Sequence, residues 1–225
     1  MAEEINTDQV AVLVSGGIES AILAVDLTKH FSRVHPIYIQ FGLRWEPVEL
    51  DHLKRFLLAV ERERLASLTI LQEPVAEVYD THWSVGDGAV PDENTPDEAV
   101  YLPGRNLLFL TKASVWCHLR GVNRVALGSL GTNPFQDSTP AFFDAMEAVA
   151  NRALGGTLRV LRPFDQMHKE EVLKRGKGLP LQHTFSCLSP VNGFHCGRCN
   201  KCAERRHGFL KAGMADPTDY AKASV

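Results

Sequence analysis

The 225-residue chain has no run of about 18 apolar residues, so no segment is built to cross a bilayer as a helix. Its opening Met1-Ala-Glu-Glu has neither the basic nor the apolar stretch of a secretion signal, and a cytoplasmic protein is expected. An excess of one charge is also missing. The 24 Lys and Arg against 27 Asp and Glu leave a net −3, which speaks against a broad nucleic-acid face and favours a small substrate. Neither the Walker A spacing nor Gly-x-Gly-x-x-Gly occurs, which argues against ordinary P-loop NTPase and NAD chemistry. There is no internal repeat, heptad pattern or low-complexity tract.

With 44% hydrophobic residues, the chain can bury the core of one α/β domain with a small appendage. Gln9 to Ser20 reads as a buried strand, a Ser15-Gly16-Gly17 turn and a helix start. Side-chain-free glycines let backbone N–H groups close on an anion, while Ser15, Ser20 and the helix start add hydroxyls and partial positive charge. Glu19 beside that turn suits Mg²⁺ bridged to phosphate oxygens; a plain strand-to-helix turn is the alternative.

Strand and helix patterns then alternate: helix 18–30, strand 34–40, helix 47–61, strand 67–71, helix 105–119, strand 124–128, helix 140–153 and strand 157–161. Such alternation predicts a doubly wound, mainly parallel α/β sheet with helices on both faces. Residues 80–103, rich in Gly, Pro and acid, break the rhythm and read as a substrate lid. Ligands of these sheets bind beyond the carboxyl ends of strands, where segments 15–20, 40–45 and 128–137 would converge.

Five cysteines without a secretion signal are expected as thiols or metal ligands. Cys187, Cys196, Cys199 and Cys202 form a C-x8-C-x2-C-x2-C cluster. Four thiolates suit a closed, structural, tetrahedral Zn²⁺ shell, with an iron–sulfur cluster as the rival. His195 then becomes a neighbour rather than a ligand, and Cys117, in an apolar helix, a buried inert thiol.

The phosphate turn, Phe41-Gly42 with Arg44, Leu102-Pro103-Gly104-Arg105-Asn106, the His195 to Arg206 segment and the Ala215 to Tyr220 ending together resemble the 7-cyano-7-deazaguanine synthase family of PP-loop ATP pyrophosphatases. That resemblance implies an adenine-nucleotide alpha-hydrolase-like fold, with a PP-loop domain over 1–183 and a zinc-binding segment over 184–225 on the same core. It implies a ligase that adenylates the carboxylate of 7-carboxy-7-deazaguanine with release of pyrophosphate, takes up ammonia to give an amide, and uses a second ATP to reach the nitrile. Ser15, Gly16, Gly17 and Ser20 would hold pyrophosphate and Glu19 Mg²⁺. Arg105, Lys169 and Arg44 would be catalytic; Phe41, Asn106 and Asp137 would contact the deazapurine. Homodimerisation is a further implication. For Arg105 a helix-capping role, and for Lys169 simple solvation, are the alternatives.

The chain departs from the family mainly on the substrate side. Glu19 stands where the family has Asp, Gln40-Phe41-Gly42-Leu43-Arg44-Trp45 replaces Asp-Tyr-Gly-Gln-Arg-His, and the stretch Asn133 to Phe142 keeps Asp137, Pro140 and Phe142 but lacks the family's arginine and glutamate. The expectation is an ATP-dependent activation of an acyl or deazapurine substrate with altered recognition, in which the standard two-step route to the nitrile is left open. The rivals are ATP-dependent tRNA modification, such as thiolation, and a degenerate nucleotide-binding partner protein.

Overall fold

Five strands make one sheet in the order β3-β2-β1-β4-β5, every pairing parallel, in a computed structural model that describes residues 6–222. The strands are β1 (Asn6–Leu13), β2 (Phe31–Gln40), β3 (Thr69–Gln72), β4 (Arg124–Ala126) and β5 (Arg159–Leu161). The helices are α1 (Ile18–Leu27), α2 (Glu46–Val60), α3 (Ala76–Tyr79), α4 (Arg105–His118), α5 (Pro140–Leu154), α6 (Lys169–Arg175) and α7 (Asn200–Ala212).

Central strand β1 is apolar throughout its second half because both of its faces are covered. Val10 and Val12 pack with α1, α6 and α7, whereas Ala11 and Leu13 pack with α4 and α5. Pro36 is tolerated inside β2 for a reason of register. Backbone groups alternate sides, Val34 N–H bonding Arg64 O on the β3 side, so Pro36 turns its missing donor toward a stretch that precedes the start of β3 at Thr69. Helix α5 begins with Thr139 accepting from Phe142 N–H and Pro140 at its first position, and ends at Gly155 in the left-handed region (φ 64°).

The expected alternation holds, with shifted boundaries. Helix α1 stops at Leu27 rather than residue 30: the N–H groups of Thr28, Lys29 and His30 bond carbonyls three residues back, which tightens the end into turns. Strands β4 and β5 are three residues each, shorter than their apolar runs. Helices α6 and α7 are additions to the sequence reading. Segment 80–103 is a cover closed by a short 3-10 turn, Asp97–Val100. It is pinned: Trp83 stacks on Trp45 (5.6 Å between centroids), Asn200 N–H bonds Pro91 O, and Glu93 N–H bonds Arg198 O.

The C-terminal segment shares the core of the sheet, with Phe209 packed in the α1 layer and Cys187, Cys199 and Cys202 in the other. Arg205 fastens it. Fully buried, its guanidinium donates to Leu181 O (3.0 Å), Thr184 Oγ1 (2.9 Å), Ser186 Oγ (3.3 Å) and Thr218 Oγ1 (2.5 Å). Arg205→Leu removes four donated bonds, two of them to the buried Leu181 O and Thr184 Oγ1, and is expected to cost about 3–5 kcal/mol, read as a lowered urea midpoint. An unchanged midpoint would show that the guanidinium only fills space. Among the described residues, no helix is long and apolar enough to cross a membrane.

Candidate active site

A cavity of about 350 Å³ opens beyond the carboxyl ends of the strands, where β1 and β4 lie side by side and their following chain segments part. The Ser15–Ser20 turn forms its floor. Gly16 has φ 76°, a left-handed conformation that glycine adopts without strain, and Phe185 N–H fixes its carbonyl (2.7 Å). Ser20 Oγ accepts from Ser15 N–H (3.2 Å) and donates to Gly17 O (3.2 Å), so the turn is held open from within. Gly17 precedes α1 without any side-chain cap, leaving the first helical N–H groups available for an anion. Gly128, after β4, lies so close that a Cβ there would meet Ser20 N at 3.1 Å; a side chain would displace the turn.

Charge enters from three helices. Lys169, at the start of α6, has its ammonium 2.8 Å from Glu19 and 2.6 Å from Glu204. Glu204 also pairs with Lys201 (2.6 Å), so a chain of alternating sign runs from the phosphate turn to α7, and all four residues line the cavity. Burial alone would lower the Lys169 pKa, but Glu19 and Glu204 outweigh it and hold the amine protonated. Burial pushes Glu204 up, and Lys169 with Lys201 overcome this and bring it to about 2.

Arg105 begins α4, with its guanidinium 4.9 Å from the Phe109 ring and its buried Nε without a hydrogen-bond partner. A buried donor without a partner, on a residue that lines the cavity, fits an oxyanion. Asn106 also lines the cavity; its backbone N–H bonds the Asp137 carboxylate (3.0 Å) and its side chain bonds Asp137 O (2.8 Å).

Three candidate residues stand behind the wall. Asp137 spends its carboxylate capping the start of α4, an Asx-like cap supplied from a distant loop. Phe41 is buried against Phe109 (4.9 Å) and supports that ring. Arg44 donates to Trp83 O (3.2 Å) and Gly88 O (3.0 Å), which anchors the cover instead of facing the cavity. The remaining candidates, Ser15, Gly17, Glu19, Ser20, Arg105, Asn106 and Lys169, meet in the cavity, with Gly16 shaping its floor.

Sequence reasoning missed Glu49, Lys201 and Glu204 in the wall. Glu49 is in the first turn of α2, buried, and accepts from the Tyr38 hydroxyl (2.7 Å). Burial raises its pKa to about 7, with Arg105 and Tyr38 drawing it down and Glu46 adding to the rise. Glu46 itself holds the Phe41 and Gly42 N–H groups (both 2.8 Å) and so shapes the bend after β2.

The four cysteine sulfurs of the cluster all lie within 4.8 Å of one another. Cys196 and Cys202 are 4.0 Å apart, as are Cys187 and Cys199, close to the ~3.8 Å edge of a tetrahedron with metal–sulfur bonds of about 2.3 Å. A multi-iron cluster would hold its thiolates further apart, around its own body, so the spacing fits one ion. Backbone N–H groups of Leu188, Ser189, Cys196 and Arg198 point at the sulfurs over 3.2–3.4 Å, as thiolates require. His195 is buried, not on the surface, and accepts from Ser186 N–H (3.1 Å); burial, then Arg205 and His52, lower its pKa to about 3. Cys117 is buried and burial pushes its thiol up to about 12, an unreactive state.

The model of the family described as "Queuosine biosynthesis protein QueC" matches residues 9–213. The chain is 30% identical to a 7-cyano-7-deazaguanine synthase of Thiobacillus denitrificans, over 94% of this chain and 97% of that one. It is 32% identical to a protein of the same name from Syntrophobacter fumaroxidans, over 94% and 95%. A solved structure from Methanocaldococcus jannaschii, described as a predicted subunit of tRNA methyltransferase, has a similar fold (TM-score 0.51, 16% identity, covering 92% of this chain and 89% of that one). A match running from β1 to the end of α7, with relatives aligned over more than nine-tenths of both chains, places this chain in the QueC family of queuosine biosynthesis proteins.

Proposed function

We propose that this enzyme of the QueC type is an ATP-dependent ligase of the 7-cyano-7-deazaguanine synthase kind. It joins the carboxylate of a 7-carboxy-7-deazaguanine-like substrate to AMP, releases pyrophosphate, and lets ammonia displace AMP to give an amide; a second ATP carries the amide oxygen away to leave the nitrile. The observation that carries this reading is the union, in one cavity, of an uncapped helix start, an unpartnered Arg105 Nε and an aromatic wall that includes Trp45, Trp83 and Phe109. The first two suit phosphate and carboxylate oxygens, the third a flat heterocycle.

In this reading Ser15, Gly17, Ser20 and the α1 N–H groups hold the departing pyrophosphate, where negative charge grows during adenylation. Mg²⁺, when bound, would neutralise that charge, with Glu19 as its protein ligand. Lys169 and Arg105 place positive charge beside the same oxygens, and Asn106 orients the acyl substrate. Phe41, Arg44 and Asp137 act one step removed, through Phe109, the cover and the start of α4. The four cysteines would hold a structural Zn²⁺, closed to solvent chemistry. A homodimer and free ammonia as the nitrogen source belong to the same proposal, as does the division into a PP-loop region, 1–183, and a metal-binding segment, 184–225.

Purified protein with ATP, Mg²⁺, ammonium and 7-carboxy-7-deazaguanine should release pyrophosphate and AMP in step with amide, followed by mass. Absence of pyrophosphate release with every deazaguanine acid and amide would sink the proposal.

A further inference from the structure

The amide step needs a free amine, and near neutral pH ammonia is almost wholly ammonium, which has no lone pair to attack with. A group inside the cavity that takes a proton from ammonium would supply the free amine where it is used. The carboxylates that line the cavity differ in how far they are committed. Glu19 and Glu204 are both held by Lys169, and Asp97 accepts from the Asn200 side chain (3.4 Å). Glu49 stands apart: among the described residues, no lysine or arginine nitrogen lies within 4.0 Å of its carboxylate.

We propose that Glu49 binds the incoming ammonium and accepts its proton before nitrogen attacks the activated carboxyl. This rests on the ligase reading above and adds to it the residue that makes the nucleophile. Glu49 lines the cavity and its stem lies against the phosphate turn: a Cβ on Gly16 would meet its Cγ at 3.2 Å. One oxygen accepts from Tyr38 at 2.7 Å, and an ionised carboxylate with four lone-pair sites keeps further acceptor capacity. Trp45 and Trp83, stacked in the same wall, offer ring faces to a small cation.

The groups facing Glu49 are Tyr38 from β2, Glu46 from its own helix, the hydrogen-bonding Trp45 side chain that precedes that helix, and Arg105 from α4. With burial they place its titration near neutral pH, where a carboxylate can both take and return a proton. The balance is simple. One proton passes from ammonium to Glu49, the freed lone pair forms the C–N bond, and the C–O bond to AMP breaks with its electrons left on the phosphate. That phosphate takes the second nitrogen proton, leaving neutral amide.

Glu49→Gln keeps an acceptor for Tyr38 and separates the two half-reactions. Acid-dependent ATP–pyrophosphate exchange, which needs no amine, should fall by no more than a few-fold. Ammonium-dependent amide formation should fall about 10²-fold or more. Hydroxylamine, largely unprotonated near neutral pH, should restore turnover as the hydroxamate. In the unsubstituted enzyme the amide rate should rise through an inflection near 7 that Glu49→Gln lacks and Tyr38→Phe moves upward, since the Tyr38 hydrogen bond favours the anion.

Equal losses in exchange, amide and hydroxamate would overturn the proposal and make Glu49 a binding or folding residue. So would an unaffected amide rate. No exchange in the unsubstituted enzyme would instead overturn the ligase reading, and this inference with it.

Discussion

Stripping the proposed zinc ion from the cysteine cluster is expected to cost the protein α7 and its cavity together. Structural zinc contributes an apparent 10–16 kcal/mol, roughly, to small metal-folded units, against a net stability of about 5–15 kcal/mol for a whole domain. Here the cluster is no appendage. Cys187 and Cys202 are fully buried, Cys199 caps α7, and that helix carries Lys201 and Glu204 into the cavity wall. Without the ion, four close thiols lose the charge that holds them together, and α7 loses its anchor. Chelation should lower the melting temperature by more than about 10 °C, since several kcal/mol are involved. It should abolish pyrophosphate release, and zinc should restore both. Cys202→Ser should behave like the chelated protein, while Cys117→Ser, buried but outside the cluster, should keep one metal ion per chain. Retention of the full melting temperature after complete metal loss would refute this account.

The second large effect concerns Lys169. Its ammonium is both a positive charge beside the phosphate turn and the link between Glu19 and Glu204. Lys169→Met should lower kcat/KM for pyrophosphate release by about 10²–10³-fold, the usual loss when one preorganised charge is removed from a developing oxyanion. It also leaves two carboxylates facing each other, so part of any loss could come from distortion. The double variant Lys169→Met, Glu204→Leu removes that repulsion and separates the causes. It should recover the melting temperature and none of the activity. Recovery of activity would show that Lys169 matters only as a counter-ion.

The sequence carries the phosphate turn and the cysteine cluster plainly because both are contiguous signals: the turn depends on glycine's backbone freedom, the cluster on ligand spacing. The parallel sheet follows from the alternation of apolar runs, whereas the order of its strands does not; β4 contracts to the few residues that meet β1 and β5, and edge strand β5 to those that meet β4. Glu49, Lys201 and Glu204 escaped notice for a physical reason. Each is a charged residue on an amphipathic helix, a pattern shared by any solvated face, and only the tertiary arrangement turns it inward. Arg44, Phe41 and Asp137 illustrate the converse. They occupy the correct loops, but the neighbouring Trp83 carbonyl, the Phe109 ring and the α4 N–H groups claim their side chains.

The chain of charge from Glu19 to Lys201 joins α1 to α7. During synthesis from the N-terminus, a nascent chain that already displays the phosphate turn therefore has neither Lys169 nor Glu204 to complete it, nor the cysteine cluster that seats α7. The candidate site joins residues far apart in sequence, and such contacts form late because long loops must close first. Partly made or C-terminally clipped copies would accordingly be silent toward ATP, so that the appearance of activity reports completion of the whole chain.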